Sequence, residues 1–551
     1  MRQSARGVRP AGLPWLAALG LAGAYLVVFV VQLPHNLGDL GWVSDYVSGF
    51  VISQTVVDTG TGGHTLLSTT GAYLPLWFGL LTAHWPLHRQ IWELAPTLLF
   101  LASALTVGWS VAQVADRRAA VLATLTVAVA SPWALAFFMV TAHNVVYPAT
   151  ALLGAYLIWL ASDTPRRRAT KFAVPLLGAV ALGVCLASDA LLIVTGAVPF
   201  ALTALAAGLH RERRLRLLAL SAMATVVGAV PIAVLTRVIM HSAGYRTLPP
   251  PGKLAPLSAL SEHAHILFDG LKRLFNGYLG NASPAMFGGL TPAASGHLHS
   301  ELGVLCTIVM LAALVALLMI GAPTAWRFLS TWRREGASQP PAELARTLHI
   351  TYWVSSAVVI CAAFEFGTRA AVRYEAYYAT VLMSVAAVVP LLMRPTSIAR
   401  WLVPTGAAFL FAGSLVGLTS HVLDTAFDPP ISHYGTDVVR VARASGVTAG
   451  YAGYWDASSL TWSSHERVTV RPLSECQNPS GAGICPFFLD RVPSWYVPRR
   501  RRTFLLVDPN SEYVVALPPG LGEPSASYAI GPMRMYIFPY DIASRLGPAS
   551  D

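Results

Sequence analysis

Residues 34–60, PHNLGDLGWVSDYVSGFVISQTVVDTG, follow directly on the first long apolar segment of the chain. They carry three carboxylates, Asp39, Asp45 and Asp58, in a sequence of which only 12% is charged, so each acid beside a membrane needs a reason. After Gly41, Trp42 and Ser44, Asp45 opens a weakly amphipathic run in which Val47, Phe50, Val51 and Gln54 recur at helical spacing. The spacing predicts a helix along a membrane surface with the acid at its start, where the helix dipole favours an ionised carboxylate. Two roles stand open for Asp45: it caps that helix, as Asp and Ser often do, or it serves as a general base.

The surroundings decide what such a loop is attached to. The chain has 551 residues, 54% of them hydrophobic, and a mean hydropathy of +0.55. Long uncharged runs recur beyond any soluble core, which predicts an α-helical polytopic membrane protein and excludes a water-soluble enzyme on an anchor. A net charge of +11 could suggest nucleic acid. The Arg residues, however, sit in short clusters between apolar segments, which is a topology signal, and no nucleic-acid partner is expected. The basic start MRQSARGVRP precedes an apolar run over 11–33 with no small-residue cleavage site, so this run is expected to be an uncleaved first helix.

Orientation turns on GAYLPLWFGLLTAHWPLHRQ at 71–90, whose apolar run of about 14 residues is short of the roughly 20 that a spanning helix needs. Read as a re-entrant or juxtamembrane segment, it leaves spans at 11–33, 91–114, 119–140, 145–161, 172–187, 190–209, 215–236, 301–322, 348–364, 376–393 and 401–420. This expectation of about 11 transmembrane helices puts the Arg clusters at 116–118, 166–168, 210–214, 327–334 and 394–400 on the cytoplasmic side, as the positive-inside rule asks. Asp45, His143, Asn144, Asp189, Arg369, Arg373 and Glu375 then collect on the outer face. So does the loop 237–300, in which SALSEHAHILFDGLKRLFNGYL reads as an interfacial amphipathic helix with Leu267, Leu271, Leu274 and Phe275 on its apolar side.

From Ser432 the composition becomes that of a soluble domain. DVVRVARASG reads as a helix, and TAGYAGYW, ERVTVRPL, RTFLLVD, EYVVALP and MRMYIFP read as short strands. The expected division is a transmembrane part over 1–425 and a small extracytoplasmic α/β domain over 426–551. Cys185, Cys306 and Cys361 lie in or beside apolar runs, whereas Cys476 and Cys485 lie close together in the polar region and are expected to form a disulfide in an oxidising compartment.

Several polar residues are candidates for chemistry. Asp45 as a base needs reach to an acceptor hydroxyl and partial shielding from water. Asp39 accompanies it in the first loop as a cavity residue. His143 and Asn144, in FFMVTAHNVVYP, are a loop turn or a substrate contact, and Asp189 either caps a helix with Ser188 or lines the cavity. Arg369 and Arg373, in EFGTRAAVRYEAYY, offer forks for a phosphate, or pair with Glu365 and Glu375. No HExxH or Cys-rich spacing exists, so no structural metal is expected, while a divalent cation held by Asp45 and a partner stays open. The absence of P-loop, GxGxxG, GxSxG and kinase patterns leaves nucleotide hydrolysis and soluble hydrolase chemistry without support.

The succession WVSDYVSGF, AYLPLWFGLLT and HRQIWELAPTLLF resembles the integral membrane C-type glycosyltransferases, which include the protein mannosyltransferases and the bacterial aminoarabinose transferase. VRYEAYY is similar to that family's Arg-Tyr element before a late helix, and GYAGYWDASSLT to a Gly-Tyr-Ala-x-Tyr-Trp element in the external domain of bacterial members. The resemblance implies a lipid-phosphate-linked sugar as donor, Asp45 as the base, and Arg373 with Arg369 at the donor phosphate. Many members have two adjacent acids where this chain has Ser44 and Tyr46 around Asp45, so a metal-assisted mechanism is not carried over. The expected activity is transfer of a sugar from a polyprenyl phosphate to an envelope glycan or protein acceptor at the outer face of the cytoplasmic membrane. The alternative is a non-catalytic multi-pass protein that binds a lipid-linked glycan and recruits envelope partners.

Overall fold

The structure, a computed structural model, describes residues 12–40, 44–60, 65–67, 73–140, 143–162, 168–210, 212–247, 254–277, 279, 283–284, 290–291, 297–330, 340–367, 378–393, 398–419, 431–476, 483–509 and 513–548. Helix α1 (Leu13–Leu40) is followed by α2 (Ser44–Thr59) over the first-loop stretch and by a short strand, β1 (Thr65–Leu67). Next comes α3 (Tyr73–Thr82), whose 10 residues reach only ~15 Å and cannot cross a bilayer. The chain continues through α4 (His88–Val114), α5 (Arg117–Ala128), α6 (Pro132–Val140), α7 (Val146–Ala161) and α8 (Arg168–Ser188). A π-helical turn at Ile193–Ala197 leads into α9 (Val198–Gly208), and α10 (Arg213–Ser242) ends at β2 (Tyr245–Thr247), which pairs in parallel with β1. The helical part closes with α11 (Leu260–Leu274), a hairpin of β3 (Ser283–Pro284) and β4 (Leu290–Thr291), α12 (His297–Ser330), α13 (Pro341–Glu365), α14 (Ala379–Val388) and α15 (Ala399–Thr419).

Among the described residues, six helices (α1, α4, α10, α12, α13 and α15) are long and apolar enough to cross a membrane, and a seventh span results if α5 and α6 count as one. The other expected spans fall on the shorter apolar helices Val146–Ala161, Ala173–Ser188, Ile193–Gly208 and Ala379–Leu392, so length and composition do not give eleven. Val227, Val230, Val234 and Val238 stand outward and exposed along α10. Such an apolar exterior belongs against lipid, and the chain is a membrane protein.

The run at 119–140 departs from its expected single span. It breaks between α5 and α6 with a bend of 78°. Pro132 starts the second helix, and the Ser131 hydroxyl caps it by accepting the Ala134 N–H at 3.0 Å. The carbonyls freed at the break are taken by other helices: the Tyr25 hydroxyl donates to Ala130 O at 3.0 Å and the Ser414 hydroxyl to Val129 O at 2.9 Å. Irregular backbone survives at membrane depth only where neighbours supply such donors.

The two ends of the bundle differ. Arg89, in the first turn of α4, donates to Trp462 O of the C-terminal region at 3.0 Å. The far end of that 27-residue helix lies ~40 Å away, next to the exposed Arg117 and Arg118 that begin α5. Likewise α10 starts at Arg213 and finishes against Tyr245 and Trp77, near α3. Helix α11 is amphipathic as expected, but Leu271, Leu274 and Phe275 are buried against the bundle, and the Arg273 guanidinium lies 5.0 Å over Trp133.

The C-terminal region folds around a six-stranded mixed sheet. After α16 (Ile431–Ala444), β5 (Ala449–Gly453) runs into α17 (Tyr454–Ser463), then β6 (Thr469–Glu475), β7 (Ile484–Pro486), β8 (Thr503–Val507), β9 (Ala526–Ile530) and β10 (Met533–Phe538) in the order β7-β6-β5-β8-β10-β9. Strand β5 lies parallel to both β6 and β8, and the remaining neighbours are antiparallel. Two expectations need correction. Tyr454 and Trp455 start a helix rather than end a strand, and the described part of EYVVALP, 513–518, forms no strand. Tyr513 O and Val514 O accept the Glu475 and Asp508 N–H groups at 3.1 and 3.2 Å without forming a ladder, and it is the ASYAI segment that pairs with β10. Ile431, Val438, Leu460 and Leu506 pack on one face of the sheet, and Tyr451, Leu473, Leu505 and Phe538 on the other. Gly450 admits Phe504 so closely that a Cβ would overlap its ring. Cys476 and Cys485 are bonded, with their Cα atoms 5.3 Å apart. The expected boundary at 425/426 lies outside the described residues.

Candidate functional site

Helix α2, expected to lie along a membrane surface, is covered by protein on two sides. Towards the bundle, the Tyr46 hydroxyl donates to Trp92 O at 2.9 Å, the Trp92 indole N–H returns to Tyr46 O at 3.2 Å, and Phe50 stacks on His88. Towards the sheet domain, the Ser44 hydroxyl lies 2.7 Å from both the Tyr454 and Trp455 carbonyls, and the Trp495 indole donates to Thr55 Oγ1 at 3.1 Å. Phe50 also meets Trp462 edge-on at 4.6 Å. Two covered faces explain why the apolar stripe of this helix is so weak in the sequence: serines and threonines serve the second face through hydrogen bonds.

Asp45 stays exposed in the first turn of α2. Its Oδ1 accepts the Tyr454 hydroxyl at 2.6 Å, a length typical of a charge-assisted bond. Burial, reinforced by the carboxylates of Asp45 and Asp490, holds that phenol well above the usual tyrosine range, so it remains a donor. The Tyr454 ring is fixed by stacking on Phe487, with centroids 4.5 Å apart. An exposed carboxylate backed by a fixed donor can collect a proton from a substrate hydroxyl.

His143 and Asp189, 46 positions apart in the chain, form a buried pair with Nδ1 and Oδ2 separated by 2.6 Å. The other carboxylate oxygen of Asp189 accepts the Leu191 N–H at 2.9 Å, so this residue both caps and pairs. Burial opposes the imidazolium, but the charge and hydrogen bond of Asp189 and the charge of Asp45 together raise the His143 pKa. Asp45 thus belongs to the electrostatic surroundings of this pair. Beside it lies a small cavity lined in part by Leu74, Pro75, Val146, Ser188 and Asp189, and the Leu74 N–H reaches the Ser188 hydroxyl at 3.0 Å, joining α3 to the end of α8. Asn144 is half-buried next to His143.

Asp39 lies in the last turn of α1, with its side chain outside the described residues, as are Arg369, Arg373 and Glu375 altogether. The neighbourhood of the arginine pair is described only up to the end of α13, where Ala255 N–H bonds Phe366 O at 2.9 Å and His263 Nδ1 meets Glu365 O at 2.8 Å. Among the described residues no three His, Cys, Asp or Glu side chains gather as metal donors would. Sequence reasoning missed Tyr454 and Asp490. The first was visible only as part of an aromatic cluster, and the second, in FFLDRVP, carries no signal at all. It also missed Asp456, a buried acid whose Oδ2 has no hydrogen-bond partner among the described residues and whose pKa is pushed well up by burial and by Asp508.

No family model matches the chain, and no curated protein matches it. Among solved structures it is similar to the oligosaccharyltransferase of Archaeoglobus fulgidus in three forms. The apo form shows 12% identity and a TM-score of 0.45 over 83% of this chain and 64% of that one. The form tethered to an acceptor peptide with an NVT sequon gives 14%, 0.40, 81% and 63%. The complex with an inhibitory peptide and a dolichol-phosphate gives 14%, 0.43, 81% and 64%. The chain therefore spans less than two thirds of the length of the structures it matches.

Proposed function

We propose that the chain is a membrane glycosyltransferase that moves a sugar from a polyprenyl-phosphate donor to an envelope acceptor at the outer face of the cytoplasmic membrane. The observation that carries this reading is Asp45: an exposed carboxylate on the first-loop helix, bonded at 2.6 Å by Tyr454 at one end of a bundle of apolar helices. A donor with an apolar tail can lie in lipid against such a bundle while its sugar stands at the level of Asp45. In the proposed reaction Asp45 takes the proton of the acceptor hydroxyl as that oxygen attacks the anomeric carbon, and the bond to the lipid phosphate breaks. Arg373, with Arg369, is proposed to neutralise the departing phosphate, while Asp39, His143, Asn144 and Asp189 line the cavity around the sugar.

The rival reading, a non-catalytic glycan-binding protein, draws on the same bond, because a carboxylate that docks a domain needs no chemistry. Asp45→Asn separates the two. In lipid nanodiscs supplied with polyprenyl-phosphate sugars, the variant is expected to lose about 10²-fold or more in turnover while donor binding persists. Unchanged turnover in Asp45→Asn removes the general base from the mechanism.

A further inference from the structure

Two carboxylates converge on one phenol. The Tyr454 hydroxyl lies 2.6 Å from Asp45 Oδ1 and 3.0 Å from Asp490 Oδ2. The two acids come from opposite parts of the chain, one from α2 of the first loop and the other from the segment after β7. Because both touch the same oxygen, the carboxylates are within about 6 Å of each other, close enough for each to bias the proton affinity of its neighbour. A phenol has a single proton to give, and the shorter contact assigns it to Asp45. Ser48, one turn beyond Asp45 on α2, donates to the same Asp490 oxygen at 3.3 Å.

The arrangement is held from several sides. Asp490 is buried and its backbone adopts a φ of 47°, a left-handed conformation uncommon outside glycine that Asp tolerates better than most residues. The carboxylate reaches the Tyr454 hydroxyl at 3.0 Å, and the Tyr454 ring is itself stacked on Phe487. The Ser44 hydroxyl meanwhile ties the start of α2 to the carbonyls at the start of α17. Neither Tyr454 nor Asp490 belongs to the two apolar clusters that pack on the sheet.

We infer that Tyr454 and Asp490 are positioning residues for Asp45, so that the sheet domain completes the catalytic centre instead of serving only as an appended module. This rests on the transferase reading above. The two residues act on the base with opposite sign. The hydroxyl stabilises the carboxylate form of Asp45 and lowers its proton affinity; the negative charge of Asp490 raises it. On the bundle side Asp45 is also coupled to the charge of His143, which pairs with Asp189, and both residues are unchanged in the variants that test the idea.

Tyr454→Phe keeps the stack on Phe487, and Asp490→Asn keeps a residue that accepts a left-handed φ, so both are expected to fold. The acid limb of the kcat/KM profile should move up by about one pH unit in Tyr454→Phe and down by a similar amount in Asp490→Asn, with donor KM little changed. The Asp45 carboxyl is followed in parallel by difference infrared titration against Asp45→Asn, which needs no turnover. Opposite infrared shifts support the pairing even if no sugar is transferred, in which case the transferase reading alone falls. Shifts of the same sign, or none in either measurement, overturn the positioning role.

Discussion

At the scale of single residues, the site is assembled from side chains whose individual signals in the sequence are unequal. Asp45 was legible because an acid after a long apolar run demands a reason, and so was Asp189, which interrupts another. Their partners were not, since hydrogen-bond geometry between positions 45 and 454, or 143 and 189, leaves no periodic trace. The His143–Asp189 pair makes a prediction of its own. A histidine whose folded pKa is raised contributes stability that is full below its ordinary value of 6.5 and is lost as pH rises through the folded value. Asp189→Asn should therefore melt lower than the parent by about 1–3 kcal/mol at acid pH, with the difference shrinking in alkali. Thermal unfolding across a pH series measures this, and a gap that stays constant with pH rules out the ion pair.

At the scale of elements, uniformly apolar stretches such as those of α10 and α12 could be read directly, because each residue repeats the same message. The break between α5 and α6 could not, because Ala130 and Ser131 look like span residues until Tyr25 and Ser414 are found bonding the carbonyls around them. Helix α2 was legible as a helix but not as an enclosed one. Its contact with α3 depends on Gly79, where a Cβ would stand 2.7 Å from Ser53 Cβ. Gly79→Ala should push the two helices apart, cost about 1–3 kcal/mol and reduce transfer by displacing Asp45. Adding Ser53→Gly removes the opposing atom and should restore both stability and activity. A double variant as impaired as the single one would place the damage elsewhere.

At the scale of the whole molecule, α3, the ends of α8 and α10, the first loop and the sheet domain occupy one end of the bundle, and Arg117, Arg118 and Arg213 begin helices at the other. With the positive end inside, single cysteines at Trp85 and Arg500, both exposed, should react with an impermeant maleimide in intact cells, and one at Arg118 should not. Labelling at 118 with protection at 500 would invert the orientation and move the proposed reaction to the cytoplasmic face. The bond between Ser44 and Tyr454 spans 410 positions. At a synthesis rate of about 5–20 residues per second, roughly 20–80 s separate the making of the first loop from that of the segment that covers it. For that interval the polar face of α2 is open to chaperones and proteases, and a nascent chain interrupted before residue 454 carries an unfinished first loop as well as a missing domain.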